Sequence, residues 1–274
     1  MKKIQWIVSD LDGTLFNDQK NISRFNQEKI KALSCYKIPF GIVTGRPVKQ
    51  VAERLRKMEL DSYVSFIIGM NGGSFLDLST KKLQVFHPLE QKTIQTIIDH
   101  HQDLDICFQV LENTTRYVNR STPQSLAYTH RCKENEEVVD FFAYCQSHPI
   151  LKLMIYCDPE KMDTLVQRAK MLSLPDCRGI QTDDCMFEWM DHRIHKGATL
   201  EYVAEVLGLP LSSCLAFGDA DNDLEVFERA GVSICARNGT GKAKEKAMIV
   251  SSYKNEEDMV GHEIQTLITN DFQW

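Results

Sequence analysis

Ile4-Gln5-Trp6-Ile7-Val8-Ser9, running straight into Asp10-Leu11-Asp12-Gly13-Thr14, is the stretch around which the chain is organised. Four of its first six residues are apolar (Ile4, Trp6, Ile7, Val8), a density that suits a strand buried on both faces of a parallel sheet. Two carboxylates follow where the strand should end and the backbone turns at Gly13. In an open α/β sheet, ligands bind at the carboxyl ends of the strands. Asp10 and Asp12 lie two apart, so in extended geometry they project to the same side. Carboxylates that close repel unless a cation or a shared proton compensates. The five residues admit two readings: a metal site with covalent chemistry at one acid, or an exposed Asp-x-Asp-Gly turn of the kind common in loops.

Downstream, helical and strand patterns alternate. Phe25, Ile30, Leu33 and Tyr36, behind Ser23 as N-cap, predict a helix over 23–36 that returns to a strand at Ile38–Val43. A charged helix over 48–58 and the apolar Phe66-Ile67-Ile68 follow, the latter closed by the turn Met70-Asn71-Gly72-Gly73. A β-α-β-α-β opening predicts a doubly wound, Rossmann-like parallel sheet. From about residue 83 the pattern changes. Short alternating segments (83–86, 105–111, 116–120), a helix at 136–147, a strand at 151–157, a helix at 159–172 and two further strands lead to Met190. Hairpins with two helices suggest a separate α+β module inserted in the sheet domain. The alternation then resumes, with helices at 196–207, 222–229, 240–246 and 256–269 and strands at 214–217, 232–234 and 249–250. The expected organisation is a core domain in two parts, 1–84 and 191–274, with an inserted module at 85–190.

Length and composition narrow the function. A chain of 274 residues can bury a large core, and 43% hydrophobic with 26% charged residues is ordinary for a globular protein. A formal charge of −6 argues against nucleic acid or an anionic membrane surface as the main partner. The nine cysteines include no C-x-x-C pair, which points to reduced thiols and away from a disulfide framework or a zinc knuckle. No long apolar stretch opens the chain, so neither a signal peptide nor a membrane span is expected, and the cytoplasm is the default location.

Three further motifs fall at strand ends. Thr44-Gly45-Arg46 closes the second strand, and a hydroxyl, a flexible backbone and a following helix N-terminus together suit a phosphate oxygen. Lys196 opens a helix where the chain re-enters the sheet domain, at a position where a cation could neutralise transferring phosphate oxygens. Alone, either would be read as an ordinary turn or a solvated charge. Gly218-Asp219-Ala220-Asp221-Asn222-Asp223 sets three acids and an Asn behind the apolar Cys214–Phe217. Such oxygen ligands match a hard ion, and Mg²⁺ favours one or two carboxylates with water and phosphate oxygens. The helix macrodipole accounts for Asp221 and Asp223 at a helix start but not for Asp219. Gly241-Lys242 lacks the first Gly and the Ser or Thr of a P-loop. His100-His101 and the pair His192 and His195 read as structural or solvated.

Taken in order, Asp10-Leu11-Asp12-Gly13-Thr14, Thr44-Gly45-Arg46, Lys196 and Gly218-Asp219-x-x-Asn222-Asp223 resemble the four motifs of the haloacid dehalogenase-like hydrolases. The large insertion, with Met70-Asn71-Gly72-Gly73 before it, resembles the Cof-type branch, whose α/β cap is of the C2B kind. The resemblance implies Asp10 as nucleophile, forming an aspartyl-phosphate, and Asp12 as general acid, then base. It implies Mg²⁺ held by Asp10, the Asp12 carbonyl, Asp219 and Asp223. It implies phosphate contacts from Asp10, Leu11, Thr44, Gly45, Lys196 and Asn222, and substrate contacts near Arg46, Asn71 and Gly72. Ile234-Cys235-Ala236-Arg237-Asn238-Gly239 departs from the usual Val-Ala-Met-x-Asn-Ala. The expected activity is hydrolysis of small phosphate esters, sugar phosphates first, by a monomer or weak homo-oligomer. The alternatives are a phosphotransferase or phosphomutase of the same superfamily and, from another class, a phospho-accepting receiver-like switch.

Overall fold

Trp6–Ser9 forms the strand that its composition predicts, with Trp6, Ile7 and Val8 each at most 1% exposed and hence covered on both faces. It lies inside an eight-stranded sheet of order Ile249–Val250, Val232–Cys235, Cys214–Gly218, Trp6–Ser9, Phe40–Val43, Phe66–Gly69, Ser74–Asp77, Leu83–Val85. The first six run parallel, and Ser74–Asp77 and Leu83–Val85 extend one side antiparallel. The chain therefore winds outward from Trp6–Ser9 in one direction early and in the other direction late. The reversal falls between Trp6–Ser9 and Cys214–Gly218, where Ser9 stands beside Phe217. Connections that leave such neighbours in opposite directions open a crevice at their carboxyl ends.

The structure is a computed structural model that describes residues 2–274. The sheet belongs to a unit made of the residues up to Val85 together with His195–Trp274, and Phe86–Ile194 forms a second unit. In the first unit the opening helix Arg24–Leu33 starts at Ser23, whose Oγ accepts the Asn26 amide at 3.0 Å. The final helix Met259–Thr269 is tied to it by the Gly261 amide donating to Asn26 Oδ1 at 2.7 Å. No described helix is long and apolar enough to cross a membrane.

The second unit is a six-stranded sheet of order Cys177–Asp183, Met186–Asp191, Leu153–Tyr156, Cys107–Glu112, Thr115–Val118, Asn135–Val138. All neighbours are antiparallel except the last pair. Helices Gln91–His101, Phe141–Ser147 and Met162–Lys170 cover one face over Phe108, Leu153, Phe187 and Trp189. Helix Pro123–Arg131 sets Tyr128 against Cys107, Met154 and Met186 on the other. The unit thus has four helices among the described residues where the sequence pattern predicts two. Pro123–Arg131 is fixed by Pro123 in its first turn and a reciprocal Thr122–Ser125 cap, a local signal stronger than its weak apolar periodicity. The helix predicted at 136–147 divides. Residues 135–138 pair as an edge strand with Thr115–Val118, and the helix begins at Phe141 behind the Asp140 cap. Asn135-Glu136-Glu137-Val138 is mostly exposed, so it carries no apolar alternation to announce a strand.

Three cations of this unit are paired within it. Arg116 is buried, donates to Glu134 at 2.5 Å and to Gln109 at 2.9 Å, and lies over the Tyr128 ring. Lys152, also buried, stands 2.8 Å from Glu188, and Arg120 pairs with Asp105. Arg116 and Lys152 are therefore not the surface charges that their residue types suggest.

Candidate active site

Asp10 sits one residue beyond the first strand, its amide donating to the Phe217 carbonyl at 3.0 Å. Lys196, at the start of helix Lys196–Leu207, reaches it through the interior. Its Nζ is fully buried, 2.7 Å from Asp10 Oδ1 and 2.6 Å from Asp223 Oδ1. Asp219 follows the strand Cys214–Gly218, and the Thr14 hydroxyl donates to its Oδ1 at 2.7 Å. The Asp219 and Ala220 amides both donate to Asp223 Oδ2 at 3.0 Å. One carboxylate oxygen each from Asp10, Asp219 and Asp223 lies within 4.8 Å of the other two. Gly13 makes this approach possible. Its φ is +86°, and a Cβ there would fall 2.3 Å from Asp219 Oδ2.

Burial pushes the Asp10 pKa well above the ordinary carboxylate range; Lys196 opposes the shift, and Asp223 and Asp219 add to it. Asp219 is pushed up to about 6 by burial, with the Thr14 hydrogen bond opposing and Asp223 adding. Burial also works against the Lys196 ammonium, but the Asp10 and Asp223 carboxylates outweigh it and hold its pKa above the usual value. The site is thus a carboxylate cluster with less positive charge than its acids call for. Lys196 occupies one oxygen each of Asp10 and Asp223, while no hydrogen bond among the described residues reaches Asp10 Oδ2 or Asp219 Oδ2. An all-oxygen donor set with two carboxylate oxygens to spare fits a hard divalent cation.

Asp12 is placed differently. The strand ends at Ser9, and Asp12 stands three residues beyond it. The Asp12 carboxylate is gripped by Arg46, through Nε at 2.7 Å and Nη2 at 2.8 Å, and by Lys20 Nζ at 3.0 Å. Burial would raise its pKa, but these two cations win and hold it at about 2. Lys20 went unnoticed in the sequence. It lies in a polar loop at φ +61°, and only the fold brings it to Asp12.

The remaining candidates surround these groups. Thr44 is buried at the end of Phe40–Val43, its Oγ1 accepting the Arg46 amide at 3.2 Å and its carbonyl the Asn71 amide at 3.0 Å. Asn71 has φ +56° and a buried Oδ1 without a hydrogen-bond partner, and a Cβ on Gly45 would lie 3.0 Å from that atom. Gly72, at φ +102°, accepts the Thr199 hydroxyl at 2.5 Å, and a Cβ there would strike the His195 carbonyl at 2.3 Å. The Met70–Gly73 turn therefore packs against the helix start that carries Lys196. The Leu11 side chain is fully buried, so only its main chain can face a ligand, and Asn222 is exposed. Asp221 is engaged by Thr240 and Lys242, which removes it from the cluster. His195 serves as N-cap of Lys196–Leu207, its Nδ1 accepting the Ala198 amide at 3.1 Å. The Gly241-Lys242 pair opens a short helix behind the Thr240 cap.

A buried aspartate, a buried lysine and a second pair of aspartates gather at adjoining strand ends, on a doubly wound sheet interrupted by an α+β module. Residues 7–264 match the profile of the haloacid dehalogenase-like hydrolases, and the chain belongs to that family. It is a phosphatase-type hydrolase of that superfamily, of the Cof type. A Streptococcus pyogenes serotype M6 protein named "Putative phosphatase" is 24% identical over 97% of this chain and 99% of its own length. A haloacid dehalogenase-like hydrolase from Bacteroides thetaiotaomicron has the same fold, with a TM-score of 0.85 at 22% identity over 97% of this chain and all of its own. A subclass IIB sugar phosphatase superposes with a TM-score of 0.78 at 15% identity, over 98% of this chain and 100% of that one.

Proposed function

We propose that the protein is a Mg²⁺-dependent phosphomonoesterase that hydrolyses small soluble phosphates, sugar phosphates first, through an aspartyl-phosphate. The observation that carries this reading is Asp10: a buried carboxylate with one oxygen on Lys196 and the other without a hydrogen-bond partner among the described residues, at the switch point of the sheet. Asp10, Asp219 and the Asp12 carbonyl would hold the ion, with Asp223 fixing Lys196 and the Asp219 loop. The ion would supply positive charge that offsets the repulsion between the carboxylate and the phosphate ester. Asp10 attacks phosphorus, and Lys196, Thr44, Asn222 and the amides of Leu11 and Gly45 bind the phosphoryl oxygens. The sugar phosphatase among the structural relatives supports the substrate class, and the inserted α+β unit is the cap that selects the leaving group.

Asp12 protonates the departing alkoxide and later takes a proton from the attacking water. With a pKa of about 2 it is an ion in the present arrangement, suited to the second task. The first requires it to leave Arg46 and Lys20 and gain a proton. Asp12→Ala is expected to slow a sugar phosphate by about 10²- to 10³-fold but p-nitrophenyl phosphate far less, because p-nitrophenolate leaves without an acid. Equal losses on both substrates would remove Asp12 from the acid role.

Phosphate release from a panel of sugar phosphates, nucleotides and p-nitrophenyl phosphate, with Mg²⁺ and after chelation, tests the reading as a whole. Turnover without free phosphate, as in transfer to a second sugar, would overturn it. Ion binding should also report on Asp219. Its raised pKa of about 6 means that the cation must displace a proton at lower pH. Calorimetric Mg²⁺ affinity should fall as pH drops through that value, by about tenfold per unit for each proton displaced. Affinity that does not change with pH would exclude Asp219 as a ligand.

A further inference from the structure

The loop that carries Asp10 and Asp12 draws its backbone hydrogen bonds from two sources. Inside, the Leu11 carbonyl accepts the amides of Thr14, Leu15 and Phe16 at 3.4, 3.1 and 2.7 Å. Outside, two asparagines from distant parts of the chain reach its carbonyls. Asn238, beyond the strand Val232–Cys235, donates through Nδ2 to the Gly13 carbonyl at 2.8 Å. Asn255, beyond Ile249–Val250, donates through a buried Nδ2 to the Phe16 carbonyl at 3.0 Å. The two are joined, because the Asn255 amide donates to Asn238 Oδ1 at 2.9 Å. The neighbouring Thr240 amide holds the Asp219 carbonyl at 2.8 Å. The segment after Val232–Cys235 thus fastens the Gly13 turn with one residue and the Asp219 loop with another.

We propose that Asn238 and Asn255 are positioning residues that fix the Asp10–Phe16 loop by its Gly13 and Phe16 carbonyls and so set the distance between Asp10 and Asp219. The inference rests on the phosphatase reading above. A primary amide suits the task because it offers a donor and an acceptor at once, and Asn238 uses both, on Gly13 and on Asn255. Gly13, at φ +86° with no room for a Cβ beside Asp219, cannot hold that turn by side-chain packing, and the bond to its carbonyl adds an outside restraint to the hydrogen bonds within the loop. Neither asparagine touches the carboxylates, and their effect on turnover runs through the loop.

Asn238 is exposed, so its replacement leaves the core intact. Asn238→Ala removes both bonds, and Asn238→Asp keeps the acceptor for Asn255 while losing the donor to Gly13. With p-nitrophenyl phosphate and Mg²⁺, each is expected to lower kcat about tenfold, the worth of one well-placed hydrogen bond, and to leave KM and the melting temperature nearly unchanged. Mg²⁺ affinity by calorimetry should weaken in both variants, because the loop carrying Asp10 is no longer held against Asp219. Wild-type kcat and wild-type Mg²⁺ affinity in both variants would overturn the proposal, as would a kcat loss matched by a large fall in melting temperature. Absence of phosphate release by the wild-type protein would instead overturn the phosphatase reading.

Discussion

Asp10→Asn should lower phosphate release by about 10⁴-fold or more, the scale seen when a covalent nucleophile is removed from an enzyme whose other groups remain. The substitution keeps the shape of the side chain and replaces a carboxylate oxygen with an amide nitrogen that cannot attack phosphorus. Folding should survive it. Asp10 is an acid whose charged form is disfavoured by burial and by Asp223 and Asp219, so exchanging it for a neutral amide relieves repulsion inside the cluster. Lys196 retains Asp223 at 2.6 Å and is not left alone. Without divalent cation, urea unfolding of the variant should therefore match or exceed the wild type, while calorimetric Mg²⁺ affinity drops with the loss of one charged ligand. Rapid quenching of wild type and variant with substrate should show phosphorylated protein only in the former. Residual turnover within about a hundredfold of wild type would mean that water, not Asp10, attacks phosphorus.

The sequence made the groups of the site legible and left their arrangement hidden, for a definite reason. Asp10, Lys196, Asp219 and Asp223 each stand at the end of an apolar strand or the start of a helix, and these are the places where a doubly wound sheet gathers its chemistry. Their meeting in one cluster follows from topology, which the β-α alternation already announced. Asp12 fared differently because its environment depends on two side chains, Arg46 and Lys20, that approach from separate loops. Asn238 and Asn255 left still less trace, since a loop asparagine looks the same whether it faces water or a carbonyl. In the inserted unit the strand Asn135–Val138 was concealed by its own exposure, and helix Pro123–Arg131 by an apolar face too narrow to set a period.

Lys196→Met should show how the cluster is held together. Methionine keeps the length of the lysine stem and removes the ammonium that bridges Asp10 and Asp223. Leaving buried charges without a partner costs about 3–5 kcal/mol, so the metal-free variant should unfold at much lower urea than the wild type. Two effects moderate this loss, and both can be measured. Asp10 can take up a proton, its pKa being raised already and lacking Lys196 to oppose the shift. A folded-state pKa above that of the unfolded chain means that the native state binds the extra proton, so the deficit should shrink as pH falls and widen as it rises. Saturating Mg²⁺ brings positive charge to the same carboxylate cluster, and the deficit should narrow with ion concentration. Activity should not return with stability. The ammonium also binds a phosphoryl oxygen in the proposed reaction, and its loss should leave kcat lower by about 10³-fold even in the Mg²⁺-stabilised variant. A stability deficit indifferent to both pH and Mg²⁺ would make Lys196 a packing residue whose charge is incidental. Recovery of kcat along with stability would confine it to holding the carboxylates in place.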